Sequence, residues 1–217
     1  MPHLHREIEN LKKMLLSLGA MVEENVRKAV RSFEKKDTEL AATVIDSDPE
    51  IDRKEVDVEE ECLKILALYQ PVANDLRFIV AILKINNDLE RIGDLAVNIA
   101  ERAVYMAPHP VPDLHLDYRS MAKETIEMLK NSLDSLVNLD PVLAKQVCAN
   151  DDIVDSMKTK MVKMVEEAIK EHPDQTEHLL QYLLVARHLE RIADHTTNIA
   201  EDVIYMVKGN IVRHRMG

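Results

Sequence analysis

Acidic side chains recur at fixed spacing in two stretches of the chain, LERIGDLAVNIAERAVYM over 89–106 and LERIADHTTNIAEDVIYM over 189–206. Eleven of the 18 positions are identical, among them Glu90 and Glu190, Asp94 and Asp194, Asn98 and Asn198, and Glu101 and Glu201. At about 100° per residue these four positions fall within about 80° of one another around a helix, while Leu89, Ile92, Ala96, Ile99 and Ala103 lie on the opposite side. Packing explains why the apolar positions recur. It does not explain the outward ones, because exposed positions usually tolerate substitution. A repeated set of carboxylate and amide oxygens is the donor set of a hard or borderline cation.

Two further acidic pairs share this logic. Asp48 and Asp52 in the first half correspond to Asp151 and Asp155 in the second at an offset of 103, as do Asp37 and Leu40 to Asp140 and Leu143. If Pro71 marks the turn of an antiparallel helical hairpin, Asp48 and Asp52 stand 23 and 19 residues before it, and Glu90 and Asp94 stand 19 and 23 after. Around Pro173 the same count gives 22 and 18 for Asp151 and Asp155, against 17 and 21 for Glu190 and Asp194. Neighbouring helices are about 8 to 10 Å apart, so four acidic side chains converge on one spot in each half. Close carboxylates raise each other's pKa unless cations hold them. The plainer alternative is a solvated acidic face stapled by Arg91–Asp94 and Arg191–Asp194 pairs, and four motifs at matched heights in two copies outweigh it. The candidate metal ligands are therefore Asp48, Asp52, Glu90, Asp94, Asn98 and Glu101, with Asp151, Asp155, Glu190, Asp194, Asn198 and Glu201. The expected metals are divalent or trivalent ions such as Fe, Mn, Mg or Zn, with identity and number left open, and Ca also suits an oxygen-only set. No residue is read as catalytic. His195 is expected at the periphery, and Pro49 either kinks its helix or makes Asp48 an N-cap, which would weaken Asp48 as a ligand.

The elements that must position these groups are helices. The chain has 217 residues with four Gly, no Trp and 3% aromatics, so the residues that dominate strands and hairpins are scarce. Apolar steps of three and four residues place helices over about 4–35, 38–69 and 74–106, then a fourth around Ile126 to Leu136, a fifth after the Asp140-Pro141 cap and a sixth ending near Lys208. The run of Pro108, Pro110 and Pro112 breaks this pattern. The fold class expected is all-α, two tandem three-helix bundles related by duplication, dividing into 1–110 and 111–217. Met157, Met161 and Met164 read as core.

The net charge of −11, from 28 Lys and Arg against 39 Asp and Glu, disfavours nucleic acid and anionic lipid, and no run of basic residues offsets it locally. No stretch is long and apolar enough to span a bilayer. With no signal peptide in view and Cys62 and Cys148 at unrelated positions, the expectation is a reduced, cytoplasmic protein. No GxSxG, P-loop, HExxH or ExxH occurs, which argues against an enzyme, including a carboxylate-bridged di-iron one. A helical scaffold without metal remains the other alternative.

The paired ERIGDLAVNIAE and ERIADHTTNIAE motifs, the DxxxD motifs at 48/52 and 151/155, the six-helix plan and the length resemble the PhoU family of bacterial phosphate-specific transport. The resemblance covers essentially the whole chain. It implies two three-helix bundles with metal ions or clusters on the acidic motifs, matched here by Asp48, Asp52, Glu90 and Asp94 and by Asp151, Asp155, Glu190 and Asp194. It also implies a cytoplasmic regulator that restrains phosphate uptake and phosphate-starvation signalling, acting on the transporter's ATPase subunit and a sensor histidine kinase, with a homodimer as the expected assembly. Ala193 and His195 depart from the first copy, so the second site is expected to differ in geometry or ligand set.

Overall fold

Asp37 and Asp140 open the second helix of each half. In the computed structural model, which describes residues 2–109 and 118–209, the Asp37 carboxylate accepts from the Leu40 N–H at 2.9 Å. Asp140 accepts from the Val142 and Leu143 N–H groups at 2.8 and 3.2 Å. A cap of this kind is worth about 1 kcal/mol. Directly before each cap, Lys36 and Leu139 take left-handed backbone, with φ of 54° and 49°. That turn lets the Asp37 and Asp140 N–H groups reach back to the Ser32 and Ser135 carbonyls. The same corner is built twice, once in each half.

The described residues form α1 (Pro2–Lys35), α2 (Thr38–Tyr69), α3 (Ala73–Met106), α4 (Tyr118–Asn138), α5 (Pro141–Glu171) and α6 (Thr176–Lys208), with a short 3-10 turn at Pro173–Gln175. Among them there is no strand. Pro71 lies between α2 and α3, and Pro173 lies in the turn between α5 and α6, as the hairpin counting requires. Pro110, Pro112 and the division between 110 and 111 lie outside the described residues; Pro108 follows the end of α3. No helix among the described residues is long and apolar enough to cross a membrane.

α2 continues through Pro49, so Asp48 is not an N-cap. An interior proline removes one backbone hydrogen bond and costs about 3 kcal/mol. Full burial of Val44 and Ile51 on either side of it, and of Val58, Cys62 and Ile65 beyond, supplies the offset. The Asp48 carboxylate is thereby left to face its neighbours rather than its own backbone.

α3 packs against α1 and α2, α6 packs against α4 and α5, and α3 and α6 pack on each other at the centre. α1 also meets α4, closely enough that a Cβ on Gly19 would stand 2.8 Å from Leu133 Cδ2. One apolar core therefore runs through both bundles. Its central seam carries a few satisfied polar groups: the buried Asp88 accepts from Asn198 Nδ2 at 3.2 Å and lies 2.8 Å from His195 Nδ1, and Lys84 pairs with buried Asp202 at 3.2 Å. His195 thus bridges the two halves through the Asp88 carboxylate, with no hydrogen bond to the motif carboxylates among the described residues.

Candidate functional site

Two contacts set the register of the hairpins. Asn86 Nδ2, on α3, donates to the Glu55 carbonyl at 2.9 Å and to its carboxylate at 3.0 Å on α2. Lys158 Nζ, on α5, donates to Glu190 Oε1 on α6 at 2.8 Å. The first pair lies about one turn from the acidic motifs and the second includes the motif residue Glu190 itself, so α2 with α3 and α5 with α6 are antiparallel neighbours in the register that brings the motifs together.

In the first half Asp48, Asp52, Glu90 and Asp94 share one electrostatic neighbourhood. Partial burial raises the Asp48 pKa, and the charges of Asp52 and Asp94 raise it further. Glu90 is raised first by burial and then by Asp94, with Arg91 opposing and Glu55 and Asp52 adding to the rise. Asp48 Oδ1 is buried without a hydrogen-bond partner. The second half repeats the arrangement: burial and then Asp155 raise Asp151, and burial, Glu190, Asp151 and Asp155 push Asp194 up to about 6. Like charges one helical turn apart, about 6 Å, repel by roughly 3 kcal/mol at an effective dielectric of about 20.

Among the described residues no three His, Cys, Asp or Glu side chains are gathered tightly enough to hold one ion as they stand. The carboxylates of each cluster feel one another yet remain spread. An oxygen-only donor set and the orphaned Asp48 Oδ1 fit a hard or borderline cation. The stapled alternative is weaker: Arg91 lies 3.7 Å from Glu90, and among the described residues neither Asp94 nor Asp194 is paired with an arginine.

The remaining candidates stand apart. Asn98 Nδ2 donates to the Asp94 carbonyl at 2.9 Å within its own helix, and Asn198 turns to Asp88 across the central seam. Glu101 is exposed beside Arg102 at 3.2 Å, and Glu201 lies near Cys148 on α5, whose thiol pKa is raised first by burial and then by Glu201. Asn98, Asn198 and Glu101 are taken up by these contacts, while Glu201 shares its neighbour Cys148 with Asp151 of the second cluster.

The residues that make the two clusters unlike are not among the candidate ligands, although Glu55 shares the side of α2 that carries Asp48 and Asp52. Glu55 follows Asp52 by three positions, and its equivalent at offset 103 is Lys158, three after Asp155. The first cluster thus gains a fifth carboxylate held by Asn86, and the second gains an ammonium bonded to Glu190. The i,i+3 spacing was the available signal, since it returns a side chain to the same helix face.

The PhoU domain model matches twice, over residues 15–103 and 118–203. The phosphate-specific transport system accessory protein PhoU homolog of Aquifex aeolicus is 40% identical over 212 residues, 98% of this chain and 96% of that protein. The crystal structure of PhoU from Pseudomonas aeruginosa superposes with a TM-score of 0.92 at 36% identity, covering 95% of this chain and 99% of that one. The phosphate transport system regulatory protein PhoU from Streptococcus pneumoniae gives a TM-score of 0.85 at 30% identity, over 96% and 99% of the two chains. The duplicated three-helix plan and its repeated motifs place the chain in the PhoU family.

Proposed function

We infer that this protein is an accessory protein of phosphate-specific transport that restrains high-affinity phosphate uptake and phosphate-starvation signalling from the cytoplasm. The observation that carries this reading is likeness over nearly the whole chain, in sequence and in fold, to proteins named as accessory and regulatory components of phosphate transport. In this reading it acts by binding, as a homodimer, on the transporter's ATPase subunit and on a sensor histidine kinase.

The acidic clusters belong to the same reading. Asp48, Asp52, Glu90 and Asp94 would hold one metal site, with Glu55 beside it; Asp151, Asp155, Glu190 and Asp194 would hold the other, with Lys158 as an internal competitor. A bound cation supplies neutralisation of the converging charges and a link between neighbouring helices. The protein's own part is to bring α2 to α3 and α5 to α6 in register. Each cluster spans two helices, so its occupancy fixes the outer helix on the central pair and the surface offered to a partner.

Deletion in the host, followed by alkaline phosphatase and phosphate-uptake assays in phosphate-rich medium, tests the reading. Both activities should be inappropriately high. A variant with Glu90, Asp94, Glu190 and Asp194 neutralised should complement poorly. Unchanged phosphate physiology on deletion, with metal-dependent turnover by the pure protein, would instead favour an enzyme.

A further inference from the structure

The strongest unexplained feature lies away from the acidic clusters, where α1 and α4 run past each other. They touch at Gly19 and Leu133, and at the far end Phe33 and Tyr118 meet edge to face with ring centroids 5.5 Å apart. Between these points they enclose a groove of about 600 Å³. One rim carries Arg27, Arg31 and Lys35, and the other Arg119, Lys123 and Lys130. Glu34 and Glu127 are the acidic residues lining it, so six cations face two carboxylates on a chain whose net charge is −11. No basic run in the sequence announces this groove, because its charges come from two helices some 90 residues apart.

The cations are largely uncommitted. Arg27 pairs with Glu23 at 2.7 Å, and Arg119 reaches Glu34 at 3.8 Å. Arg31, Lys35, Lys123 and Lys130 are exposed and have no acidic partner among the described residues. Beneath them the floor is apolar, formed by buried Val30 and Ala122 with partly buried Ile126.

We propose that this groove is a docking site for an acidic amphipathic helix of a partner protein. Apolar side chains on one face of such a helix would rest on Ile126 and on the aliphatic stems of the rim residues, above the closed floor of Val30 and Ala122, and carboxylates on its flanks would meet the two cationic rims. At 1.5 Å per residue, Arg27 to Lys35 spans about 12 Å and Arg119 to Lys130 about 16 Å, the length of about three helical turns. A polyphosphate would use the rims and gain nothing from the floor. A flat anionic membrane would meet the rims but not the concave floor, and would be repelled by the rest of the surface. The groove shares no residue with either acidic cluster, so this inference stands or falls separately from metal binding.

The test is fluorescence anisotropy with the full chain and a labelled amphipathic peptide of about 18 residues, with Leu on one face and Glu on its flanks. A scrambled peptide of the same composition, a polyphosphate chain and vesicles containing anionic lipid serve as competitors. The amphipathic peptide should bind, weaken about tenfold between low and physiological salt, and bind about tenfold more tightly than the scrambled one. The variant Arg31→Gln/Lys35→Gln/Lys123→Gln/Lys130→Gln should lose binding while keeping wild-type circular dichroism; should it fail to fold, Lys123→Glu alone must still weaken binding several-fold. Ile126→Ser should weaken it without changing the salt dependence. Absence of peptide binding, equal binding of the scrambled peptide, no effect of the four substitutions, or tighter binding of polyphosphate or vesicles through the same cations would each overturn the proposal.

Discussion

Lys158 and Glu55 occupy the same position of the repeat and have opposite charge. In the second cluster the ammonium lies 2.8 Å from Glu190, where it does part of the work a metal would do. In the first cluster the nearest described cation, Arg91, stands farther off, 3.7 Å from Glu90, and there is one carboxylate more. Calorimetric titration with Mn(II) should therefore show a tighter first cluster. Lys158→Glu should strengthen the second site by roughly tenfold, and Glu55→Lys should weaken the first by a similar factor; equal affinities in all three proteins would contradict this role for Lys158. Protonation offers an independent measure. Asp194 is held up at about 6, mainly by burial and then by Glu190, against a usual value of 3.8. The folded state therefore binds this proton more tightly than the unfolded chain, so stability present near pH 4 declines as pH rises through about 6. In chelator, Asp194→Asn should become progressively more stable than wild type over that range by calorimetry; a constant difference would remove Asp194 as the source. Asp48, Asp52, Glu90 and Asp94 were legible because their spacing alone sets their heights. Lys158 was not, because its meaning depends on which residue of the opposite helix it reaches.

The two second helices seat on the central pair by different exchanges of volume. At α2 and α3, a Cβ added to Gly93 would stand 3.3 Å from Ile51 Cγ2. The equivalent positions in the second half are Ala193 and Val154, both buried, so one methyl has moved from one helix to the other. Gly93→Ala gains about 1 kcal/mol of helix propensity but crowds Ile51. Ile51→Val alone costs about 1 kcal/mol. Together they should be more stable than the sum of the single effects by about 1 kcal/mol in urea denaturation. Simple additivity would show that Gly93 and Ile51 do not share a packing constraint. At the corner before α5, Leu139 is left-handed and 41% exposed. Leu139→Gly should raise stability by up to about 1 kcal/mol, and destabilisation would mean that its side-chain contacts outweigh the backbone strain. The helices and their caps were readable because period and capping are local signals. The helix over 38–69 was among them; what the sequence left open was whether Pro49 kinks it or makes Asp48 an N-cap, since that depends on Ile51 and its neighbours being buried against other helices.

At the scale of the whole molecule, the two bundles share one core along α3 and α6, and their acidic clusters lie where the outer helices α2 and α5 meet that pair. The duplication announced two bundles, whereas their mutual packing and the α1–α4 groove arise from contacts that no single repeat encodes. A cation held across α2 and α3 joins an outer helix to the shared centre, so metal occupancy should be felt by the entire fold. At a free concentration about 100 times its dissociation constant, one bound ion adds about 2.7 kcal/mol, which for a domain of this size raises the melting temperature by roughly 5 to 10 °C. The most direct measurement is thermal unfolding of chelator-treated protein with and without Mn(II) or Fe(II), paired with elemental analysis of the refilled protein. Wild type should take up metal saturably and melt several degrees higher, whereas Asp52→Asn/Glu90→Gln/Asp94→Asn should lose uptake at the first cluster and most of the shift. Neither uptake nor stabilisation in wild type, or both unchanged in the variant, would contradict a metal site on these carboxylates.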